Sequence, residues 1–314
     1  MVPHVRMAAL WAPVRRKLDR APRTRWAGRK PDTHSMHICF ATDLHGSESL
    51  YQQLDRLVRR EEPDLLILGG DMFPDGDDRD PVGTQTAYVC DAFLPRVRGW
   101  KRRLADLTVA CILGNHDWLT LRQTFQVQHE AGRIVLLDLH RPWQCGYMKF
   151  VGYWHTPPTP FWLKDFERLD MPGDTPADMP ARVWDPQTGR IRDISAVEHY
   201  RRCPPLSADL AAVGPIADPW VFVCHAPPWG TNLDRLPNVD HPVGSKAIRQ
   251  FIESRRPYLA LHGHIHDSPD VSGAYTDELN GTLCINPGQS TERLYAVMFE
   301  LQRPRETLRH TVYG

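Results

Sequence analysis

Apolar and polar positions follow two rhythms along the chain, and the switches between them mark its elements. The run from Met36 to Thr42 reads as a buried strand, and Leu50, Leu54, Leu57 and Val58 recur behind it at helical spacing. Asp64 to Leu68 is a second strand closed by Gly69-Gly70. A helix is expected over 85–105, with a break at Pro95, and then a third strand from Thr108 to Leu113. Residues 118–130 have helical spacing, and shorter strands are expected at 133–138 and 145–153. After an interruption the rhythm resumes with a strand from Pro219 to Cys224, a helix over 243–255 and a strand from Pro257 to Leu261. Strands at 282–286, 293–300 and 307–313 complete the chain. Such alternation builds βαβ units and a sheet covered on both faces.

The interruption, about 157–219, holds 11 prolines in 63 residues. Only 191–203 and 206–213 look helical there, and the stretch is expected to be an insertion leaning over the site. Residues 1–35 are expected to form a basic arm. Their apolar stretch Met7–Val14 is broken by Pro13 and followed by Arg15-Arg16-Lys17, the reverse of a secretory leader.

Composition narrows the class. A chain of 314 residues buries enough surface to fold without disulfides or a structural metal. Hydrophobic residues at 41% and charged residues at 24% are those of a soluble globular protein, and no apolar run approaches the length of a membrane span. Net charge is zero, yet residues 1–35 carry nine basic and two acidic residues, which leaves the remainder about −7. A body of that sign is no general nucleic-acid binder. The seven cysteines form no CxxC pair, and Cys39, Cys111, Cys224 and Cys284 sit in apolar strand-like runs, which points to a reducing cytoplasm. No residue pattern specifies an oligomeric state.

Chemistry gathers where the strands end. Asp43-Leu44-His45 follows the first strand, Gly70-Asp71 the second and Gly114-Asn115-His116-Asp117 the third. His225 ends the 219–224 strand, and Gly263-His264-Ile265-His266 follows the 257–261 strand. In open α/β sheets the carboxyl ends of strands face the ligand crevice. Carboxylate, amide carbonyl and imidazole suit Zn, Mn, Fe or Ni, and the absence of Cys argues against a structural zinc. The seven candidates Asp43, His45, Asp71, Asn115, His225, His264 and His266 are too many for one tetrahedral ion. They suit two divalent ions sharing a carboxylate and a bridging hydroxide. Such a pair lowers the pKa of bound water and stabilises both oxygens of an in-line displacement, which is the chemistry of phosphate ester hydrolysis.

Taken together, these words resemble the calcineurin-like metallophosphoesterase superfamily, from about Met36 to the carboxyl terminus and in the family's order. The resemblance implies an α/β fold, a four-layer sandwich of two mixed sheets flanked by helices, here with a Pro-rich insertion. It implies that Asp43, His45, Asp71 and His266 hold one metal and Asp71, Asn115, His225 and His264 the other, with Asp71 bridging. It implies that His116 protonates the leaving oxygen and that Asp117 orients it. An imidazole also fits that role on physical grounds, since nearby cations depress its pKa and a carboxylate offsets them.

The expected activity is a dimetal phosphodiesterase acting on a small phosphorylated substrate, a phosphodiester or cyclic nucleotide. A phosphomonoesterase or nucleotide pyrophosphohydrolase is the alternative and would need extra cations, for which Lys164, Arg168 and Arg235 are the candidates. A nuclease would use the basic arm, and a non-catalytic scaffold would have eroded ligand words; here all are intact. His262 is left out of the ligand set. The acidic loop of Asp75, Asp77, Asp78 and Asp80 reads as a solvated turn, and Tyr153, Trp154, His155, Phe161, Trp162 and Trp229 mostly as packing. No Walker A, GxGxxG or GxSxG word is present.

Overall fold

The computed structural model describes residues 35–76 and 79–314. Residues 1–34 of the expected arm, and Asp77 and Asp78 of the acidic loop, lie outside the described residues. β1 (His37–Ala41) leads into α1 (Glu48–Glu61), whose first turn is capped by Ser47 Oγ accepting the Leu50 N–H. The helix buries the expected apolar stripe together with Tyr51. After β2 (Leu65–Gly69) the helical stretch begins earlier than expected, as α2 (Pro81–Tyr88), and continues through Pro95 as α3 (Leu94–Arg103). Pro95 has no N–H to offer the carbonyl one turn back. Just before it the chain widens into a π-turn over Val89–Phe93, with the Leu94 N–H bonding to Val89 O. The proline therefore shifts the helical register without ending the helix.

β3 (Thr108–Ile112) and α4 (Leu121–Glu130) follow as expected, but the strand at 133–138 shortens to β4 (Val135–Leu136). The strand at 145–153 is a hairpin of β5 (Trp143–Cys145) and β6 (Met148–Tyr153), turning through Gly146 at φ +61°.

The Pro-rich stretch departs most from expectation. Residues 191–195, the start of the helix expected over 191–203, instead lie in the second arm of a hairpin, β7 (Pro180–Asp185) with β8 (Arg190–Ser195). Gly189 N–H bonds back to Asp185 O to make the turn, and only after Ser195 does the short α5 (Ala196–Tyr200) begin. α6 (Leu206–Ala211) lies where a helix was expected. The stretch is pinned by a fully buried pair, Lys164 Nζ to Glu167 Oε2 at 2.7 Å, with Tyr200 OH donating to the same oxygen at 2.8 Å and Thr159 donating to Glu167 as well. Lys164→Met should cost about 3 kcal/mol of stability in urea unfolding, the low end for a broken buried pair because Thr159 and Tyr200 still serve the carboxylate. A loss below about 1 kcal/mol would sink this account.

β9 (Trp220–Cys224), α7 (Lys246–Arg255), β10 (Leu259–Leu261), α8 (Ser268–Ser272), β11 (Thr276–Leu279), β12 (Thr282–Ile285) and β13 (Ala296–Glu300) follow in order. β11 is an edge strand burying only Leu279, which hides it from hydropathy. The strand expected at 307–313 is instead α9 (Pro304–Thr307), opened by a proline suited to a first helical turn, and the two-residue β14 (Arg309–His310). Two six-stranded mixed sheets result, ordered β14-β13-β1-β2-β3-β4 and β11-β12-β10-β9-β6-β5.

Side-chain alternation assigns the layers. Val221, Val223, Leu259, Leu261 and Ile285 point into the core shared with the first sheet. Their neighbours Trp220, Phe222, Cys224, Ala260 and Cys284 point outward, against Ile248, Phe251 and Ile252 of α7 and Leu206 and Leu210 of α6. The first sheet is covered in turn by Leu54, Val58, Val97 and Phe125 of α1, α3 and α4. Among the described residues no helix is long and apolar enough to cross a membrane.

Candidate metal centre

All five polar words follow parallel strands at their carboxyl ends, β1, β2 and β3 in one sheet and β9 and β10 in the other. Two groups of ligand atoms form there. Asp43, His45 and His266 make one and Asp71, His225 and His264 the other, each with its atoms within 4.8 Å of one another. His266 Nε2 lies 3.3 Å from Asp43 Oδ1 and 3.3 Å from His45 Nε2. Asp71 Oδ2 stands between the groups, 3.2 Å from His225 Nε2 and 3.9 Å from His45 Nε2. Asn115 joins the second group through Oδ1, 3.1 Å from His225 Nε2, while its buried Nδ2 has no partner.

The backbone is bent to make this convergence. Asp43, His45, Asp71 and His264 have φ of 57°, 45°, 50° and 67°, in the left-handed region that residues other than glycine seldom occupy. Such strain persists where surrounding structure imposes it and gathers at functional sites. Glycine supplies close approach: a Cβ at Gly114 would strike Asp71 Oδ1 and His225 Nε2, and one at Gly263 would strike Asp43 Oδ2 and Thr42 Oγ1.

Hydrogen bonds orient three of the donors, His225, Asp71 and Asp43. His225 Nδ1 lies 2.8 Å from Gly69 O, a carbonyl that can only accept, so Nδ1 carries a proton and Nε2 faces the cluster, where against burial Asp71 and Asp43 raise the imidazole to about 9 and a bound cation would take the place of the Nε2 proton. Asp71 Oδ1 accepts the His116 N–H at 2.8 Å, which leaves Oδ2 for the centre. Asp43 Oδ2 accepts from Thr42 Oγ1 at 2.7 Å and from the His264 N–H at 3.0 Å.

Charge is tightly coupled here. Burial would raise the Asp43 pKa, but His266 and His225 outweigh it and bring it down to about 2. Asp71 is likewise held well below the usual range, with burial opposed by His225 and His116. Burial and His225 together press His264 down to about 3, so it remains a neutral donor. Buried carboxylates and clustered imidazoles, with ring nitrogens facing one another at hydrogen-bond distance, and an unpartnered amide form a donor set suited to divalent cations. The residues present fit such ions.

His116 and Asp117 do not interact as expected. His116 Nδ1 pairs with Asp75 Oδ1 at 2.7 Å, and the ionised carboxylate can only accept, so the imidazole donates. Against burial, Asp71 and Asp75 raise His116 to about 9. Asp117 instead accepts the backbone N–H groups of Asp71 at 3.0 Å and Gly114 at 2.9 Å, clamping the second and third words together. The correction has a geometric cause: adjacent residues leaving a strand point apart, whereas Asp75 reaches the imidazole from a neighbouring loop. Asp75, His116 and His45 make a third group of potential ligand atoms sharing His45 with the first.

Three further positioning residues carry no signal in their sequence neighbourhoods. Gln85, fully buried on α2, donates to His116 O and Pro74 O and accepts from the Trp118 N–H, tying the two loops together. Asn286 donates to Leu233, Gly263 and Ile265 carbonyls and holds the Gly263–His266 loop. Gln289 donates to Thr42 O beside Asp43. His262, set aside on sequence, bonds through Nδ1 to backbone carbonyls of Cys224 and Ala226 behind the cluster.

The comparisons with known proteins agree with this geometry. Among curated proteins no sequence matches the chain. One solved structure superposes with a TM-score of 0.54 at 15% identity, covering 90% of this chain and all of its own. Another, TT1561 of Thermus thermophilus, superposes with a TM-score of 0.51 at 14% identity, covering 88% of this chain and 98% of its own. At such identities the likeness is one of fold. The family model for the calcineurin-like phosphoesterases matches residues 36–268, the span from the first strand through all five polar words, and the chain belongs to that family of metal-dependent phosphoesterases.

Proposed function

We propose that the protein is a phosphodiesterase for small phosphodiesters, cyclic nucleotides among them, working with two divalent cations. Asp43, His45, Asp71 and His266 would hold one, and Asp71, Asn115, His225 and His264 the other. The observation that carries the reading is the place of Asp71 Oδ2, within 4 Å of imidazole nitrogens from both groups. When bound, such ions supply Lewis acidity and make a nucleophile of water at neutral pH. The chain's own part is to orient and to move protons. Backbone and Thr42 donors turn one oxygen of each carboxylate away from the centre and leave the other facing it. His116, anchored through Nδ1 by Asp75, offers Nε2 to protonate the leaving oxygen.

Preference for diesters is supported by where the cations lie. Lys164 is committed to Glu167, Arg168 pairs with Asp209 at 3.1 Å, and Arg235 bonds to Thr231 O. The leading charges acting on Asp43, Asp71 and His264 are all Asp and His. A monoester carries about one more negative charge and would be better served by a free guanidinium or ammonium. Phe161 of the Pro-rich stretch, 47% exposed with its ring 4.6 Å from that of His116, offers an apolar wall to an ester substituent.

The test is hydrolysis of bis-p-nitrophenyl phosphate against p-nitrophenyl phosphate by metal-stripped protein reloaded with Mn. We expect kcat/KM for the diester to be higher by about tenfold or more, a difference of roughly 1.4 kcal/mol in transition-state binding. A preference for the monoester would move the assignment to a phosphomonoesterase.

A further inference from the structure

Four rings stand in a chain of contacts at the metal centre. Between ring centroids, His266 lies 5.1 Å from His45, His45 5.0 Å from His116, and His116 4.6 Å from Phe161. The first three belong to the polar words, whereas the fourth comes from the Pro-rich stretch and has no polar atom in its side chain. Phe161 meets His116 edge to face and is 47% exposed. Its open area is apolar surface that a bound ring would remove from water.

The segment that presents this ring is firmly held. Pro157, Pro158 and Pro160 fix the φ angles of the approach to Phe161. The Phe161 N–H donates to Thr159 Oγ1 at 3.2 Å, and Thr159 donates through both its hydroxyl and its N–H to Glu167. Lys164 Nζ, paired with Glu167, also donates to Thr159 O at 2.8 Å. Next to Phe161, Trp162 packs on Trp118 at 5.7 Å between centroids and lies under Arg182. Asp165 accepts the N–H of Leu119 at 2.8 Å and that of Trp184 at 2.7 Å, tying the stretch to the loop that carries His116. A wall fixed before substrate arrives loses little freedom on binding it.

We propose that Phe161 selects the departing alcohol, and that the substrate is a diester whose leaving group carries a flat ring that lies against Phe161. The proposal rests on the phosphodiesterase reading, in which His116 faces the leaving oxygen. The ester group beside the His116 imidazole is then the alcohol that departs and not the one retained on phosphorus. Phe161 touches that imidazole, so it meets the leaving group. Aromatic pairs gain more than the area they bury, which favours a ring over an alkyl chain of similar size. Thr159 is a positioning residue, acting through the backbone of Phe161.

Steady-state hydrolysis by the Mn-loaded full chain tests it. Methyl p-nitrophenyl phosphate has its ring on the leaving oxygen alone, and bis-p-nitrophenyl phosphate has a second ring on the retained one. Phe161→Ala should lower kcat/KM about tenfold for both, by the same factor. Because p-nitrophenolate departs without a proton, a displaced His116 does not account for that loss. Inhibition by inorganic phosphate, which has no ring, should change less than about twofold. Phe161→Tyr should retain most of the activity, and the exposed position tolerates all these changes without loss of fold. Thr159→Val, which removes the hydroxyl that receives the Phe161 N–H, should give the same ring-selective loss at about threefold. A loss confined to bis-p-nitrophenyl phosphate would place the ring on the retained side and overturn the proposal. So would no loss with either ester, or an equal rise in the inhibition constant of phosphate. p-Nitrophenyl phosphate keeps this outcome apart from the diester reading: a protein that prefers the monoester should still lose about tenfold on it in Phe161→Ala, since its one ring departs. Wild-type protein that turns over none of the three esters would overturn both.

Discussion

Asp71→Asn is expected to lower hydrolysis of bis-p-nitrophenyl phosphate by more than roughly 10³-fold, because two bound cations supply several kcal/mol of transition-state stabilisation and each 1.36 kcal/mol is tenfold. The substitution removes one charge from the position that faces His45 and His225 together. It should leave the fold intact. Asn is among the few residues that tolerate the left-handed region, and position 71 has φ 50°. Its amide oxygen can still accept the His116 N–H that Asp71 Oδ1 now accepts at 2.8 Å. Metal content is the second readout: about two Mn per chain should fall to about one or none, since a neutral amide is a weaker ligand than a carboxylate. Unchanged metal content with unchanged turnover would remove Asp71 from the centre.

The nine candidate residues were legible because chemistry and hydropathy change at the same place. Asp43, Asp71, Asn115, His225 and His264 each come within three residues of the end of a buried strand, so an abrupt passage from apolar to ligating residues marks the site. Alternation also exposed the strands, although not their partners: nothing in Trp220–Cys224 alone says that Val221 and Val223 face a second sheet. The unread parts depend on contacts between distant segments. Asp75 is one of four acids in a turn-rich loop, and only the fold, by laying that loop beside the 114–117 turn, separates it from a solvated neighbour such as Asp80, which caps α2. The hairpin over Pro180–Ser195 reads partly as helix in sequence because Arg190–Ser195 has no fully buried residue, and hydropathy then carries no period to follow. Lys164 and Glu167 look like surface charges, and their burial against Tyr200 follows only once α5 closes over them.

His116→Ala should divide substrates by their leaving groups. A p-nitrophenolate departs without a proton, whereas the ribose alkoxide released from 2′,3′-cyclic AMP needs one, and general acid catalysis is worth about 10²–10⁴-fold. The cyclic nucleotide should therefore lose roughly 10²-fold or more in kcat, and bis-p-nitrophenyl phosphate less than about tenfold. Asp75→Asn tests the orientation of that imidazole. The Asp75 side chain is 63% exposed, so its replacement should not disturb folding. It removes the carboxylate that now takes the Nδ1 proton at 2.7 Å, and it should reproduce the same leaving-group bias at smaller amplitude, about tenfold for the alkoxide. Because Asp117 spends its carboxylate on the backbone of Asp71 and Gly114, Asp117→Asn should act differently. Its effect should be small and alike on both ester types, because an amide oxygen can still accept the two N–H groups that Asp117 Oδ2 now accepts. Equal losses for aryl and alkyl leaving groups in His116→Ala would remove the proton-donor role, and a leaving-group bias in Asp117→Asn but not in Asp75→Asn would return the orienting role to Asp117.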